Sequence, residues 1–220
     1  MHIASWSGGK DSCLAVYLAL KKGMHIGHLV HFDRSNNLHG VDPKMIRLQA
    51  ALMGIPLIQQ KVASEDFEQE FRKTIGTLAK NGARGMVFGD IYLEPHKEWV
   101  DRMCGELGIE AIEPLWAMKT ENIIEQFLHQ GFETIVASGN QKLIDRKFIG
   151  RVMDREFIEY LKLNKLDVCG ENGEFHTFVT SGPLFKGRIE IKQSEITSRD
   201  GFWFVDIQDF AVTNHKKGNA

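Results

Sequence analysis

The sequence predicts an α/β fold. A parallel sheet flanked by helices, Rossmann-like, is expected over residues 1–139, and a smaller C-terminal α+β domain over 140–220. Three observations carry this. Short apolar runs alternate with longer stretches of helical spacing, the rhythm of a parallel sheet covered on both faces. The first apolar run, Ile3-Ala4-Ser5-Trp6, breaks at Gly8-Gly9 and passes straight into the helical pattern that starts at Cys13. After about Gly139 the alternation stops and a Gly-rich, β-patterned region takes over.

The elements follow in order. His25 to Phe32 is a second strand. Pro43 to Met53 has helical spacing in Met45, Leu48, Leu52 and Met53, with Gly54 as its stop. Ile55 to Ile58 is an edge-compatible strand, because Pro56 removes a ladder donor. Glu65 to Leu78 aligns Phe67, Phe71, Ile75 and Leu78 on one helical face. Gly85 to Gly89 is a buried strand, Glu94 to Leu107 a helix closed by Gly108, and Ile109 to Ile112 a short strand. Thr120 caps a helix that ends near Gly131, and Thr134 to Ser138 is expected to close the parallel series. Beyond it, Asp154 to Leu163 is helical. Arg188 to Gln193 and Phe202 to Val212 form a β pair turning at Arg199-Asp200-Gly201. The tail after Thr213 is polar and is expected to fray.

Composition excludes several classes. Apolar residues make up 43% of the 220, enough for a real core, and the formal net charge of −2 argues against general nucleic-acid affinity. No apolar run approaches membrane-spanning length, and no secretory signal pattern opens the chain, so a cytoplasmic location is expected. Cys13, Cys104 and Cys169 lack metal or disulfide spacing and are expected to be reduced thiols. His28, His31, His39 and His96 form no metal-binding pair, and Trp99, Met103 and Leu107 recur at the spacing of a packed helix face. Lys142, Arg146, Lys147 and Arg151 make a basic cluster, for which a solvated face is preferred over a phosphate contact.

Ser7-Gly8-Gly9-Lys10-Asp11-Ser12 is the strongest chemical signal. Paired glycines allow a tight turn. The helix that follows aims free N–H groups and the positive end of its dipole into that turn, so it attracts phosphate. The spacing is neither Walker A nor G-x-G-x-x-G. The string resembles the PP-loop of ATP pyrophosphatases, enzymes that split ATP between the α and β phosphates. The second constellation is Gly170-Glu171-Asn172-Gly173-Glu174-Phe175-His176-Thr177, followed by Ser181-Gly182-Pro183-Leu184-Phe185. Two glutamates on a tight loop suit an amine, another cation or magnesium; taken alone, the stretch also fits a solvated turn.

Together with Gly89-Asp90-Ile91, Pro114-Leu115-Trp116 and Phe148-Ile149-Gly150, these motifs resemble the diphthine–ammonia ligase (diphthamide synthase) family of N-type ATP pyrophosphatases across nearly the whole chain. The family stretch usually reads G-E-G-G-E-Y-E-T and then D-G-P-[IL]-F. Glu171, Gly173, Glu174, Thr177, Gly182, Pro183 and Phe185 match it; Asn172, Phe175, His176 and Ser181 depart, His176 standing where the family has glutamate.

The resemblance implies an adenine nucleotide alpha hydrolase-like fold and a ligase that uses ATP, Mg2+ and ammonia. It activates an acceptor carboxylate as an acyl-adenylate, releases pyrophosphate and forms an amide. Ser7, Gly8, Gly9 and Ser12 would cradle phosphates, and Lys10 would offset charge on the leaving pyrophosphate. Asp11 would hold magnesium or order the loop, and Phe32 would present backbone to adenine. Asp90 would either cap the next turn or face the same edge. Glu171, Gly173, Glu174, His176 and Thr177 would meet the acceptor or ammonia, with Lys10, Asp11, Glu171 and Glu174 the catalytic candidates. The acceptor would sit on elongation factor 2 in an archaeal or eukaryotic host. Alternatives are an ATP pyrophosphatase with a tRNA or small-molecule acceptor and a non-catalytic nucleotide sensor. Phe202-Trp203-Phe204-Val205 is a candidate homodimer contact.

Overall fold

A computed structural model describes residues 1–34 and 38–214; the expected fray at 215–220 lies outside the described residues. The chain divides into two compact units that alternate along the sequence. One comprises 1–7, 11–34 and 55–119, the other 8–10, 38–54 and 120–214.

The first unit holds five strands: β1 (His2–Ser5), β2 (Ile26–Arg34), β3 (Leu57–Val62), β4 (Gly85–Val87) and β5 (Glu110–Ile112). All pair in parallel, in the order β3-β2-β1-β4-β5. Chain order reverses between β1 and β4, the crevice where open α/β sheets bind ligands. Helix α1 (Lys10–Lys21) follows β1 across the boundary between the units. Its residues Cys13 to Val16 are buried, as a helix on a sheet requires.

Two further helices of this unit pack on the sheet. In the second unit α2 (Pro43–Met53) has the bounds its periodicity predicts. Asp42 caps its start, and Gly54, at φ 70°, closes it in the left-handed region. In the first unit, α3 (Phe67–Lys80) buries Phe71, Ile75 and Leu78, three of the four residues expected on its inner face. It is joined there by α4 (Glu94–Glu106), whose Val100, Met103 and Cys104 pack with Ile3, Val30 and Met86 in one core. Trp99 stacks on Phe67 at 5.4 Å and meets Phe71 edge-on at 4.9 Å, so the Trp99–Met103 face is packing. Pro56 precedes edge strand β3, and its carbonyl accepts from Leu29 N–H at 2.8 Å.

The second unit also carries α5 (Thr120–His129), α6 (Arg155–Leu163) and four strands, β6 (Glu133–Asn140), β7 (Phe175–Ser181), β8 (Arg188–Arg199) and β9 (Phe202–Thr213). They form an antiparallel sheet in the order β7-β6-β9-β8. Two expectations change here. The run at Thr134–Ser138 does not close the parallel sheet. It lies in β6, antiparallel to β7 and β9. Six consecutive residues of β6 are buried, so it shows the continuous apolar pattern of a parallel strand. The Gly-rich constellation is not all loop either: Phe175, His176 and Thr177 begin β7. The β8–β9 hairpin turns at Asp200-Gly201, both with positive φ (51° and 79°), the conformation a two-residue hairpin loop needs.

No helix among the described residues is long and apolar enough to cross a membrane. Phe71→Ala removes a ring that is 2% exposed. It should lower unfolding free energy by about 3–5 kcal/mol in urea titration, while Leu163→Ala, 82% exposed, should change it by under about 0.5 kcal/mol.

Candidate active site

The predicted phosphate loop lies between the carboxyl end of β1 and the start of α1. In the first unit, Ser7 Oγ donates to Ser12 Oγ at 3.1 Å, closing the turn across its own residues. Gly89, just past β4, lies against the backbone of Asp11 so closely that a Cβ there would come within 2.9 Å of it. Asp11 occupies the first turn of α1, where a carboxylate favours the helix dipole. His31, buried on β2, holds the approach to the loop through Nδ1, 2.8 Å from the Trp6 carbonyl. Burial pushes its pKa below the ordinary histidine value, against the pull of Trp6 and Asp33. The Phe32 side chain packs on Phe67 and Phe71, so only its backbone is on offer at the end of β2.

In the second unit, residues 8–10 lie along the free edge of β7. Val179 N–H donates to the Gly8 carbonyl at 3.0 Å. Lys10 N–H donates to Thr177 Oγ1 at 3.0 Å. Gln49 of α2, fully buried, donates through Nε2 to the Gly8 carbonyl at 3.0 Å and to the Val179 carbonyl at 2.7 Å. Gly8 has φ 78°, and a Cβ on it would strike Gln49 Oε1 at 2.4 Å and Ile46 Cδ1 at 2.7 Å. Only glycine fits. The Lys10 ammonium, 2% exposed with its residue, donates to the Cys169 carbonyl and lies 5.3 Å from the Phe175 ring centroid.

The acidic loop has a distinct division of labour. Glu174, 4% exposed, accepts from Asp167 N–H and Asn172 Nδ2 through Oε1, and from Asn172 N–H through Oε2. Its carboxylate orders the loop. Glu171 is half-buried, and its N–H reaches Asp167 Oδ1 at 3.4 Å. Gly170 and Gly173 take positive φ (73° and 82°), and at Gly170 a Cβ would meet the Phe175 carbonyl at 2.8 Å. His176 points its ring at His39, with centroids 4.3 Å apart, and its Nε2 is buried with no hydrogen-bond partner among the described residues. Burial first, then the Lys10 charge, brings its pKa down to about 4, so the ring is neutral near pH 7.

Asp90 does not cap the helix that follows: Leu93 holds that position, and Asp90 Oδ1 lies 3.1 Å from His96 Nδ1. Of the basic cluster, Arg146 lies over Trp203, while Lys147 and Arg151 lie over Phe148 and pair with Glu156. Cys13 and Cys104 are buried thiols with pKa pushed up by burial, Cys104 to about 12, so neither is a nucleophile. No group of three or more His, Cys, Asp or Glu among the described residues could hold a metal by itself. Asp11 alone, beside a phosphate loop, still fits magnesium, which takes few protein ligands and fills its shell with water and phosphate oxygens. Gln49 is the residue that sequence reasoning missed. Its signal was a polar residue at Met45 plus four, on the apolar face of α2.

Gln49→Ala leaves the Gly8 and Val179 carbonyls short of a donor and opens a cavity. It should cost about 1–3 kcal/mol in chemical denaturation. His176 sets a pH dependence. The folded state keeps the ring neutral down to about 4, whereas the unfolded chain takes up a proton below the ordinary value of 6.5. The contribution is therefore full above pH 6.5 and is lost as pH falls towards 4, a span worth roughly 3 kcal/mol. The stability difference between wild type and His176→Gln, measured by denaturation at each pH, should shrink over that window and stay constant above it.

Residues 1–111 match the diphthamide synthase N-terminal domain, and residues 119–213 match the diphthamide synthase C-terminal domain. The chain is similar to the diphthine–ammonia ligase of Homo sapiens, 26% identical over 89% of this chain and 85% of that protein. It is also similar to the Bos taurus protein of the same name, 24% identical over 91% and 86%. Among solved structures, a predicted subunit of tRNA methyltransferase from Methanocaldococcus jannaschii aligns at 15% identity with a TM-score of 0.47, over 83% of this chain and 98% of that one. The two domain matches together cover most of the sequence, and the chain belongs to the diphthamide synthase family.

Proposed function

We propose that this protein is an ATP-dependent amide-forming ligase of the diphthine–ammonia ligase type. An acceptor carboxylate oxygen attacks the α-phosphorus of ATP, and the bond to the β-phosphate oxygen breaks. Pyrophosphate leaves and an acyl-adenylate remains. Ammonia then adds to the acyl carbon, AMP departs with the bonding pair, and the surplus proton of the new nitrogen passes to solvent or to a nearby base. The observation that carries this reading is the turn Ser7–Ser12 between β1 and α1, closed by the hydrogen bond from Ser7 Oγ to Ser12 Oγ.

The chain's own residues divide the work. Ser7, Gly8, Gly9 and Ser12 offer hydroxyl and backbone donors to the β and γ phosphates. The Lys10 ammonium offsets charge that builds on the departing pyrophosphate, a positioning and electrostatic contribution. Asp11 would hold magnesium, which when bound neutralises phosphate charge. The backbone at Phe32 faces adenine from the end of β2, and Asp90 serves the same edge. Glu174 keeps the 167–174 loop closed, while Glu171, Gly173, His176 and Thr177 receive the acceptor. In an archaeal or eukaryotic host the acceptor is the carboxylate of diphthine on elongation factor 2. Three buried cysteine thiols suit the reducing cytoplasm. Of the Phe202–Val205 segment, Phe204 and Val205 are 5% and 2% exposed and pack inward, so only half-buried Phe202 and Trp203 are left to meet a second copy of the chain.

Chromatography of the nucleotide products, with acceptor and ammonium present, tests the reading. AMP and pyrophosphate should appear in equal amounts; ADP with orthophosphate would overturn it. Lys10→Ala should slow AMP release by about 10²-fold or more, in line with the loss of a single charge-stabilising donor.

A further inference from the structure

A second charged cluster in the first unit includes Asp90 and centres on Glu113, which has no part in that chemistry so far. Glu113 is the first residue beyond the carboxyl end of β5, and Asp90 lies just past β4 on the same sheet edge. The Glu113 side chain is 5% exposed. Its Oε2 binds Lys97 Nζ at 2.7 Å, but its Oε1 is buried and has no hydrogen-bond partner among the described residues. A buried carboxylate oxygen left without a donor is costly and uncommon. The segment that carries it is fixed: Trp116 N–H donates to the Glu113 carbonyl, Ala117 N–H to the Ile91 carbonyl at 2.7 Å, and Leu115 is fully buried.

The charge balance around Glu113 is negative. Asp90, Asp101 and Glu113 are three carboxylates, faced by the Lys97 ammonium and the His96 imidazole. Even with His96 protonated, one negative charge is left over. Lys97 Nζ also lies 5.3 Å from the Trp116 ring centroid, so this ring face already accepts an ammonium. Burial pushes the Glu113 carboxyl up, Asp101 and Asp90 add to that, and Lys97 only partly opposes it. One more cation would relieve the strain. Ammonium needs only hydrogen-bond acceptors and a negative surround, both of which Glu113 and Asp90 offer.

We propose that Glu113 Oε1, with Asp90 beside it, is the capture site for ammonium, the nitrogen source of the ligase reaction. This rests on the ligase reading. In the sheet order, β5 is two strands from β1, and neighbouring strands lie about 4.8 Å apart, so the captured nitrogen waits about 10 Å along the edge from the end of β1. The proton that ammonium must shed before it attacks goes to Glu113 or to solvent through Asp90 and His96.

Thermal unfolding in ammonium chloride, potassium chloride and sodium chloride at one fixed ionic strength tests this without ATP or acceptor. Wild type should melt higher in ammonium than in potassium, an ion of similar size; Glu113→Gln should erase the difference, and Asp90→Asn should reduce it. Circular dichroism in sodium chloride checks that each variant is folded. Asp90→Asn decides the matter should Glu113→Gln not fold. In steady state, Glu113→Gln should raise the KM for ammonium about tenfold or more, as loss of a charged hydrogen bond implies, and leave the KM for ATP unchanged. Equal melting of wild type in ammonium and potassium, or an ammonium effect that survives in the variants, overturns the proposal. Failure of wild type to release AMP instead overturns the ligase reading, and the melting comparison still stands by itself.

Discussion

The Gly8 carbonyl accepts two donors at once, the Val179 N–H and the Gln49 amide. This junction fixes residues 8–10 on the edge of β7. The loop has left β1 and cannot draw on that strand's ladder for its hydrogen bonds, yet Gly8 and Gly9 are buried, and buried backbone must be paired. The edge of β7 supplies the partner, and Gln49 ties the same Gly8 carbonyl to the Val179 carbonyl. The pairing places Gly8 at positive φ against the Gln49 side chain, so the residue there can have no Cβ. One hydrogen-bonded junction thus dictates a glycine in the loop, a glutamine on α2 and a free strand edge on β7.

Electrostatics in the second unit follow from the same arrangement. Because Gly8 to Lys10 lie along β7, the Lys10 ammonium is buried, where the Cys169 carbonyl and the face of Phe175 replace part of its hydration. A buried positive charge then acts on its surroundings. His176, on the same strand, is disfavoured as a cation by burial and by Lys10 together. Glu174 is buried too, but its charge is spent on Asp167 and Asn172, which keeps the acidic loop folded. The glutamate that sequence pattern marks for chemistry is therefore also the one that the loop needs in order to exist.

The legibility of the sequence tracks local constraint. The α2 helix could be bounded to the residue because its periodicity and Gly54 are both local signals. The turn between β1 and α1 was legible because paired glycines break the strand just before the helical pattern begins. Strand β6 was visible as a strand but not as antiparallel, since burial of six residues in a row erases the alternation that distinguishes the two. The start of β7 was hidden by the Gly-rich run before it. Gln49 and Glu113 were invisible for a deeper reason. Each is an ordinary polar residue until tertiary packing buries it, and a sequence read locally carries no record of that.

A parallel sheet turns every strand end to one edge, and the first unit uses this to set opposite charges side by side. At β1 the first-turn N–H groups and dipole of α1 point into the turn, with the Asp11 carboxylate in that same first turn. Past β4 and β5 the edge is electronegative, with Asp90 and Glu113 each placed as the chain leaves a strand. The reversal of strand order falls between β1 and β4, so the helix N-terminus and the two carboxylates lie on either side of the crevice. A reaction that expels a polyanion and takes in a cation needs such a pair of poles. A sheet of uniform sign would hold one partner and repel the other, whereas in the proposed arrangement the parallel topology sets the two apart by two strand spacings, about 10 Å.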